Sequence, residues 1–252
     1  MGGSAEPDET RVTSKMMISK ILLQSETVKF PEALAIQHAN FLLDKPYSVF
    51  SSSFGELSKH YPVDGSALPV GSVQYVRQCL HLCGKSITDI PTYPADLLPF
   101  LLRPVERRVF RAVPGDCFVK PQKLKLFTGA IKCELHASID PEEPVWYSPK
   151  VQWVSEWRYY ILNGEIIGAG RYDDGPDDAP APETEIVRQA VLRWSNAPSA
   201  YSLDFGVLVD GETALVEVND AWALGYYKGT LSPRQYLRLL ETRWRELLEQ
   251  AL

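Results

Sequence analysis

Residues Tyr201–Asn219 have the sequence YSLDFGVLVDGETALVEVN, which contains the clearest hairpin pattern in the chain. Two runs of strand-forming residues flank Asp210-Gly211, a dipeptide typical of hairpin turns. Pairing the runs about this turn brings Asp204 opposite Glu217, and equal parity places Asn219 on the face of Glu217. All three side chains offer oxygen donors, which Mg²⁺ prefers when it also binds waters and phosphates. The alternative is that Glu217 and Asn219 lie on the solvated face of an edge strand.

A similar hairpin precedes this one, and each hairpin is followed by a helix. The first turns at Asn163-Gly164, between strands over 151–162 and 165–171. Helical periodicity covers 185–194, and Ser232, Pro233 and Gln235 have the cap, N1 and N3 residue types of a helix that closes the chain. This order predicts an α+β fold in which helices pack on one face of an antiparallel sheet.

The first hairpin carries a pair of arginines. The turn position predicts that Arg171 directly opposes Glu156, with Arg158 as its diagonal neighbour on the same face. Two guanidinium groups so close favour a carboxylate or phosphoryl ligand between them. The alternative is that Glu156 and the aspartates of residues 173–178 neutralise the arginines.

A basic segment lies before both hairpins. Phe118-Val119-Lys120-Pro121 reads as a buried strand ending in a lysine, and a loop with Lys125, Thr128 and Gly129 follows. Lysine, hydroxyl and close backbone amides suit a polyphosphate, although the Gly-x4-Gly-Lys pattern of a P-loop is missing. The alternative is a solvated basic loop.

The N-terminal third alternates strands and helices. We expect strands over 18–23 and 47–51, a helix over 31–43 with Leu34, Phe41 and Leu42 towards the core, and a second helix within 68–82. This predicts a disordered tail over 1–14, a small α/β domain over 15–94 and a second domain over 95–252.

Composition limits the possible functions. The 252 residues are 45% hydrophobic and carry a formal charge of −6, which argues against a protein that coats nucleic acid. No stretch approaches the ~18 apolar residues of a membrane-spanning helix, and the N-terminal residues do not resemble a signal peptide. The four cysteines lack metal-finger spacing. We therefore expect a soluble, cytoplasmic protein whose oligomeric state the sequence does not define.

Three segments occur in a characteristic order: Phe118-Val119-Lys120-Pro121, then Ser155-Glu156-Trp157-Arg158, then Asp204 with Glu217-Val218-Asn219. This order resembles the ATP-grasp superfamily, and within it the small clade named for two arginines and one lysine, which is related to carboxylate–amine ligases. The resemblance covers about residues 68–227. It implies an ATP-grasp fold preceded by the small α/β domain.

The resemblance also implies roles for individual residues. Asp204, Glu217 and Asn219 would be magnesium ligands, and Arg158 and Arg171 would be catalytic, stabilising the transferred phosphoryl group. ATP would be bound by Lys120, Lys125, Thr128, Gly129, the backbone of Trp146, Tyr147 and Ser148, Glu156, and Arg103 in place of an earlier lysine. The proline that usually follows the Glu-x-Asn is absent, and Asp220-Ala221-Trp222 stands there instead.

The implied function is an ATP- and Mg²⁺-dependent ligase that joins a small-molecule or peptide carboxylate to an amine through an acyl phosphate, releasing ADP and phosphate. Two alternatives use the same site. One is a kinase of a small-molecule hydroxyl, and the other is a module that binds ATP without turnover.

Overall fold

The computed structural model describes residues 17–62, 64–135, 138–227 and 229–250. The tail expected over 1–14 lies outside these ranges. The chain begins with a parallel sheet in the order β2-β1-β3, in agreement with the predicted alternation. Its elements are β1 (Lys20–Gln24), α1 (Pro31–Leu42), β2 (Ser48–Ser52), α2 (Leu57–His60), β3 (Ala67–Val70) and α3 (Val73–Leu82).

The predicted inner face of α1 is wrong. Leu34 and Phe41 are 54% and 64% exposed, and Leu42 is also exposed. The helix instead buries three alanines, Ala33, Ala35 and Ala39, together with Ile36 and Asn40. Alanine side chains allow the backbone of α1 to lie close to its neighbours, and an argument that weights large apolar residues does not detect such a face.

The middle of the chain forms a second, antiparallel sheet in the order β4-β7-β5-β6. Its strands are β4 (Glu106–Val109), β5 (Phe118–Pro121), β6 (Ala130–Ile131) and β7 (Pro144–Ser148). The predicted strand that ends in Lys120 is therefore confirmed, and it pairs with β7 so that Lys120 lies opposite Trp146.

The two predicted hairpins join into a third, antiparallel sheet in the order β11-β10-β8-β9. Its strands are β8 (Trp153–Leu162), β9 (Glu165–Arg171), β10 (Ala200–Leu208) and β11 (Thr213–Asp220), with α4 (Thr184–Arg193) between the hairpins. One face packs on α4, through residues such as Tyr201, Leu203 and Phe205. The opposite face carries Arg158 and Asp204, so the sheet supports both a core and a polar site.

The chain closes with α5 (Pro233–Glu249), whose start has the predicted capping box of Ser232 and Gln235. The apolar periodicity predicts that α5 buries Leu237, Leu240, Trp244, Leu247 and Ala251. The first four are buried, and Ala251 lies outside the described residues. These four share one apolar cluster with residues of the first sheet, such as Ile21 and Leu68. Within the described ranges, no helix is long and apolar enough to cross a membrane.

Candidate active site

The carboxylates predicted to meet do so. Asp204 lies directly opposite Glu217, and the amide nitrogen of Asn219 lies 3.2 Å from Asp204 Oδ2 and 3.1 Å from Glu217 Oε1. The Asp204 side chain is 1% exposed and that of Glu217 is 20% exposed. β11 is an edge strand, as the alternative assumed, but these residues face the interior of the site and not open solvent.

A β-bulge at Val216 makes this arrangement possible. Leu215 lies opposite Phe205 on the face that packs on α4, whereas Glu217, two residues later, lies opposite Asp204 on the site face. Equal parity would place Leu215 and Glu217 on one face of a regular strand. The extra residue of a bulge changes the face, so the strand packs into the core and then presents its carboxylate to the site.

Arg103 holds this bulge. Its guanidinium donates to the backbone oxygens of Leu215 at 2.7 Å and Val216 at 3.1 Å, and it lies 5.2 Å from the centre of the Trp153 ring. Burial lowers the pKa of Arg103, an effect that the neighbouring Tyr93 partly offsets. Its contact with a nucleotide stays a prediction, and in this structure Arg103 positions the strand that carries Glu217.

Arg158 neutralises Asp204. Residue 158 lies opposite residue 204 in the sheet, and its Nε and Nη2 atoms donate to the two carboxylate oxygens at 2.8 and 2.6 Å. Burial by itself lowers the pKa of Arg158, but the charge and hydrogen bonds of Asp204 raise it above the usual value. The stacked rings of Tyr172 and Tyr227 lie against the guanidinium, with ring centres 5.8 and 5.0 Å from its central carbon.

Lys120 forms an ion pair with Glu217. Burial lowers the pKa of Lys120 to about 8, and the positive charges of Lys125 and Arg158 act in the same direction, whereas Asp204 opposes them. Asp204 and Glu217 thus contribute two negative charges, and Arg158 and Lys120 contribute two positive charges. The cluster is neutral as a whole.

The donor set fits a magnesium ion that is shared with phosphates. The described residues contain no metal-binding group of three or more His, Cys, Asp or Glu side chains. This site has two acids and one amide instead. Two carboxylates and an amide oxygen are hard donors, and Mg²⁺ in phosphate-transfer sites takes its remaining ligands from water and substrate. The amide of Asn219 donates to both acids, so its oxygen would have to turn towards a metal ion.

A narrow cavity of about 200 Å³ opens beside Glu217. We call it the base cavity. Its walls combine apolar side chains with the chain that leaves β7, and they include Tyr93, Arg103, Phe118, Ile131, Ser148, Pro149, Trp153, Glu156 and Val216. Flat apolar walls beside an accessible backbone segment suit a planar heteroaromatic ring.

Of the three residues predicted to hold the base, only Ser148 lines this cavity. The ring of Trp146 packs edge-on against Tyr93 at 5.1 Å, and the Tyr147 hydroxyl donates to Glu106 at 2.7 Å. Base recognition by the backbone of this segment stays a prediction.

Glu156 lies between the base cavity and the polar cluster. Burial raises its pKa, and the Tyr172 hydroxyl donates to its carboxylate at 3.1 Å. It forms no ion pair with Arg158 or Arg171 among the described residues, so the carboxylate is free to accept hydrogen bonds from a ligand hydroxyl.

The predicted position of Arg171 is wrong. A bulge between Tyr160 and Ile161 shifts the register by one residue, so Arg171 lies opposite Trp157, and Gly170 occupies the position opposite Arg158. Arg171 therefore lies on the other face of the sheet. Its guanidinium pairs with Asp173 and donates to the Pro176 backbone oxygen, as the neutralising alternative described.

The basic loop reaches the site through Lys125. This residue has a φ of 60° and lines a cavity of about 310 Å³ that also contains Arg158, Asp204, Glu217 and Asn219. We call it the phosphate cavity. Gly129 lies against Phe118, whose ring would be 2.7 Å from any Cβ atom at that position. The side chain of Thr128 is exposed and makes no hydrogen bond within the described part of the chain.

The sequence matches, over residues 51–247, the model of an ATP-grasp domain: family 3 of the clade named for two arginines and one lysine. The chain belongs to this ATP-grasp family. No curated protein matches the chain significantly.

Solved structures with the ATP-grasp fold resemble the chain over most of its length. D-cycloserine synthetase DcsG has a TM-score of 0.54 at 12% identity, covering 90% of this chain and 99% of its own. The D-alanine–D-alanine ligase from Bacillus anthracis complexed with ATP has a TM-score of 0.52 at 12% identity, covering 94% and 100%. The ATP-grasp ligase PsnB complexed with minimal precursor, Mg and ADP has a TM-score of 0.47 at 14% identity, covering 91% and 98%. At these identities the comparisons show the fold alone.

The sequence did not predict two residues of this site, Tyr172 and Trp153. Tyr172 directly follows the strand that ends at Arg171, and Trp153 begins β8. Each reads as ordinary strand packing in the sequence. Their roles depend on the bulge in the first hairpin and on Gly206, where a Cβ atom would lie 2.5 Å from the Trp153 ring. Only a correct register could have identified them.

Proposed function

We propose that the chain is an ATP- and Mg²⁺-dependent ligase that joins a carboxylate to an amine, with ADP and phosphate as products. One observation carries the proposal: Asp204, Glu217 and Arg158 of the neutral cluster line the phosphate cavity, next to the base cavity. Lys120, the second cation of the cluster, pairs with Glu217. Glu217 lines both cavities, so a nucleotide base and its phosphates can lie on the two sides of this side chain.

A third cavity of about 360 Å³ continues from the phosphate cavity. We call it the acceptor cavity. The two share Val73, Lys125 and residues 222–225. The three cavities form a row, which gives a nucleotide, a transferred phosphoryl group and a further substrate adjoining places.

The residues of the cluster suit phosphoryl transfer to a carboxylate. The substrate carboxylate oxygen attacks the γ-phosphorus of ATP, the bond to the β-phosphate oxygen breaks, and ADP leaves with that electron pair. Arg158 and Lys120 offset the repulsion between the two anions and stabilise the charge of the transition state. A bound Mg²⁺, held by Asp204, Glu217 and Asn219, would supply further positive charge at the phosphates.

The second half of the reaction forms the amide. The amine nitrogen attacks the acyl carbon, the bond from that carbon to the phosphate oxygen breaks, and phosphate departs. Starting from a carboxylate and an ammonium ion, the balanced products are amide, ADP, hydrogen phosphate and one proton. Positioning provides most of the catalysis, so no serine or cysteine nucleophile is required.

The test measures ADP release and hydroxamate formation with hydroxylamine as the nucleophile, over a panel of amino-acid and peptide carboxylates. A ligase gives both ADP and hydroxamate, because only an acyl phosphate is trapped by hydroxylamine. Glu217→Gln should abolish both products, whereas the matched change Glu212→Gln, at the exposed turn of the same hairpin, should leave them unchanged.

Two outcomes would contradict the ligase. ADP release with a hydroxyl acceptor and no hydroxamate indicates the kinase alternative, and ATP binding without any turnover indicates a binding module.

We also place the protein in the cytoplasm, in keeping with four cysteines that are all free.

A further inference from the structure

The acceptor cavity lies between the first sheet and the strand that carries the acids. Its walls are mostly apolar and come from both parts of the chain, including Phe30, Val70, Val73, Trp222, Leu224, Tyr236 and Leu240. Glu32 is the only acidic side chain among the described residues that line it, and Lys125, at the border with the phosphate cavity, is the only basic one.

Glu32 is held by one backbone hydrogen bond and has no cationic partner among the described residues. Its Oε1 atom accepts a hydrogen bond from the backbone N–H of Tyr226 at 3.1 Å. No ion pair to Glu32 occurs within the described part of the chain. A half-buried carboxylate in an apolar cavity favours a ligand that brings a positive charge.

Gly225 connects this carboxylate to the polar cluster. A Cβ atom at residue 225 would lie 3.5 Å from Glu32 Oε1 and 3.6 Å from Arg158 Nη1. Both charged groups therefore approach one point, and Gly225 leaves that point open where the acceptor and phosphate cavities join. A larger side chain would fill the connection without touching the base cavity.

We propose that the acceptor cavity binds a primary amine with an aliphatic side chain, that Glu32 pairs with its ammonium group, and that Gly225 keeps open the route to the phosphate cavity. The inference rests on the proposed ligase function and adds the class of the acceptor. Glu32 is a positioning residue for the amine in this arrangement.

The test measures direct binding to the full chain by calorimetry, with three probes of similar shape: isoamylamine, isoamyl alcohol and isovalerate. We expect the amine to bind about tenfold more tightly than the alcohol, as a charge-assisted hydrogen bond provides. Isovalerate should bind more weakly than either. Glu32→Gln keeps an oxygen for the Tyr226 N–H but loses the charge, so it should remove the preference for the amine.

Two further variants distinguish the shape of the acceptor cavity from the charge of Glu32. Gly225→Val should weaken binding of all three probes. Glu26→Gln is the matched control, because Glu26 also lies between β1 and α1 and accepts a backbone N–H, that of Phe54, but does not line the cavity. It should behave as the wild type.

Three outcomes would overturn the proposal: no saturable binding of isoamylamine, equal or tighter binding of the alcohol or isovalerate, or an amine preference that survives Glu32→Gln. None of these readouts requires turnover. Hydroxamate formation without amine binding would reject the acceptor site and retain the ligase, and the reverse result would reject the ligase alone.

Discussion

At the scale of single residues, the site is defined by four charges that cancel. Asp204 is held by two hydrogen bonds from Arg158, and Glu217 is paired with Lys120. A negative triphosphate would compete for both cations and thereby release both acids for a metal ion. The same residues can therefore bind one another without a ligand and bind nucleotide and metal together.

The Arg158–Asp204 pair gives a prediction about stability. Arg158→Gln leaves a buried carboxylate without its cation, so we expect the free energy of unfolding to fall by about 3–5 kcal/mol. The double variant Arg158→Gln/Asp204→Asn removes both charges and should recover most of that loss. Urea denaturation at neutral pH measures both effects, and a double variant as unstable as the single one would contradict the assigned pair.

The Lys120–Glu217 pair gives a prediction with opposite effects on two ligands. Lys120→Gln frees Glu217, so binding of Mn²⁺ without nucleotide should tighten several-fold, measured by electron paramagnetic resonance. Binding of ADP should weaken about tenfold, because a cation at the phosphates is lost. The exposed Lys123→Gln in the following loop is the control and should change neither. Weaker Mn²⁺ binding by Lys120→Gln would argue against the competition.

At the scale of elements, two bulges decide which side chains meet. In the second hairpin the extra residue Val216 restores the pairing of Asp204 with Glu217 that the turn position predicts. In the first hairpin a bulge near Tyr160 shifts Arg171 to the wrong face for the site. Turn dipeptides are visible in a sequence, but a bulge depends on packing across the sheet, so the acids were predictable and the arginine pair was not.

Substitution of Arg103 tests whether this residue holds the bulge at Val216 and thereby positions Glu217. Arg103→Lys cannot reach Leu215 and Val216 with a fork of donors, so we expect a loss of about 1–3 kcal/mol in the free energy of unfolding. Binding of Mn²⁺ in the presence of ADP should also weaken, because Glu217 is less well positioned. Arg107→Lys is the control, because the Arg107 guanidinium stacks on Trp146 and lines neither the base cavity nor the phosphate cavity. Unchanged metal binding in Arg103→Lys would refute the positioning role.

The helices α1 and α5 show the same contrast between features set by neighbouring residues and features set by residues distant in the sequence. The start of α5 follows from residues that contact one another within a single turn, so Ser232, Pro233 and Gln235 predict it correctly. The inner face of α1 depends on what packs against it, and a face with three alanines has no strong apolar signature. The sequence therefore predicts both the start and the buried side of α5, but only the start of α1.

At the scale of the whole molecule, the net charge of −6 describes the surface average and says little about the site. The phosphate cavity is lined by Lys125 and Arg158 beside two acids, and Lys120 pairs with one of these acids, Glu217. The order of the motifs along the chain predicted this cluster, since each motif lies at a defined place on a strand. The acceptor cavity was not predictable, because its walls come from segments more than one hundred residues apart.

The proposed boundary between residues 94 and 95 divides the chain into two parts whose unfolding can be compared. Ile21 and Leu68 of the first sheet share an apolar cluster with Leu237, Leu240 and Trp244 of α5, so the two parts should unfold together. All six tryptophans lie between residues 146 and 244, so fluorescence reports on the second part and, through Trp222 and Trp244, on the cluster that it shares with the first sheet. Circular dichroism reports on the whole chain. Leu68→Ala removes buried volume from the first sheet, at a cost of about 2–5 kcal/mol. We expect this change to lower the urea midpoints of both signals equally. A fluorescence midpoint that stays at the wild-type value would mean that the two parts are independent domains.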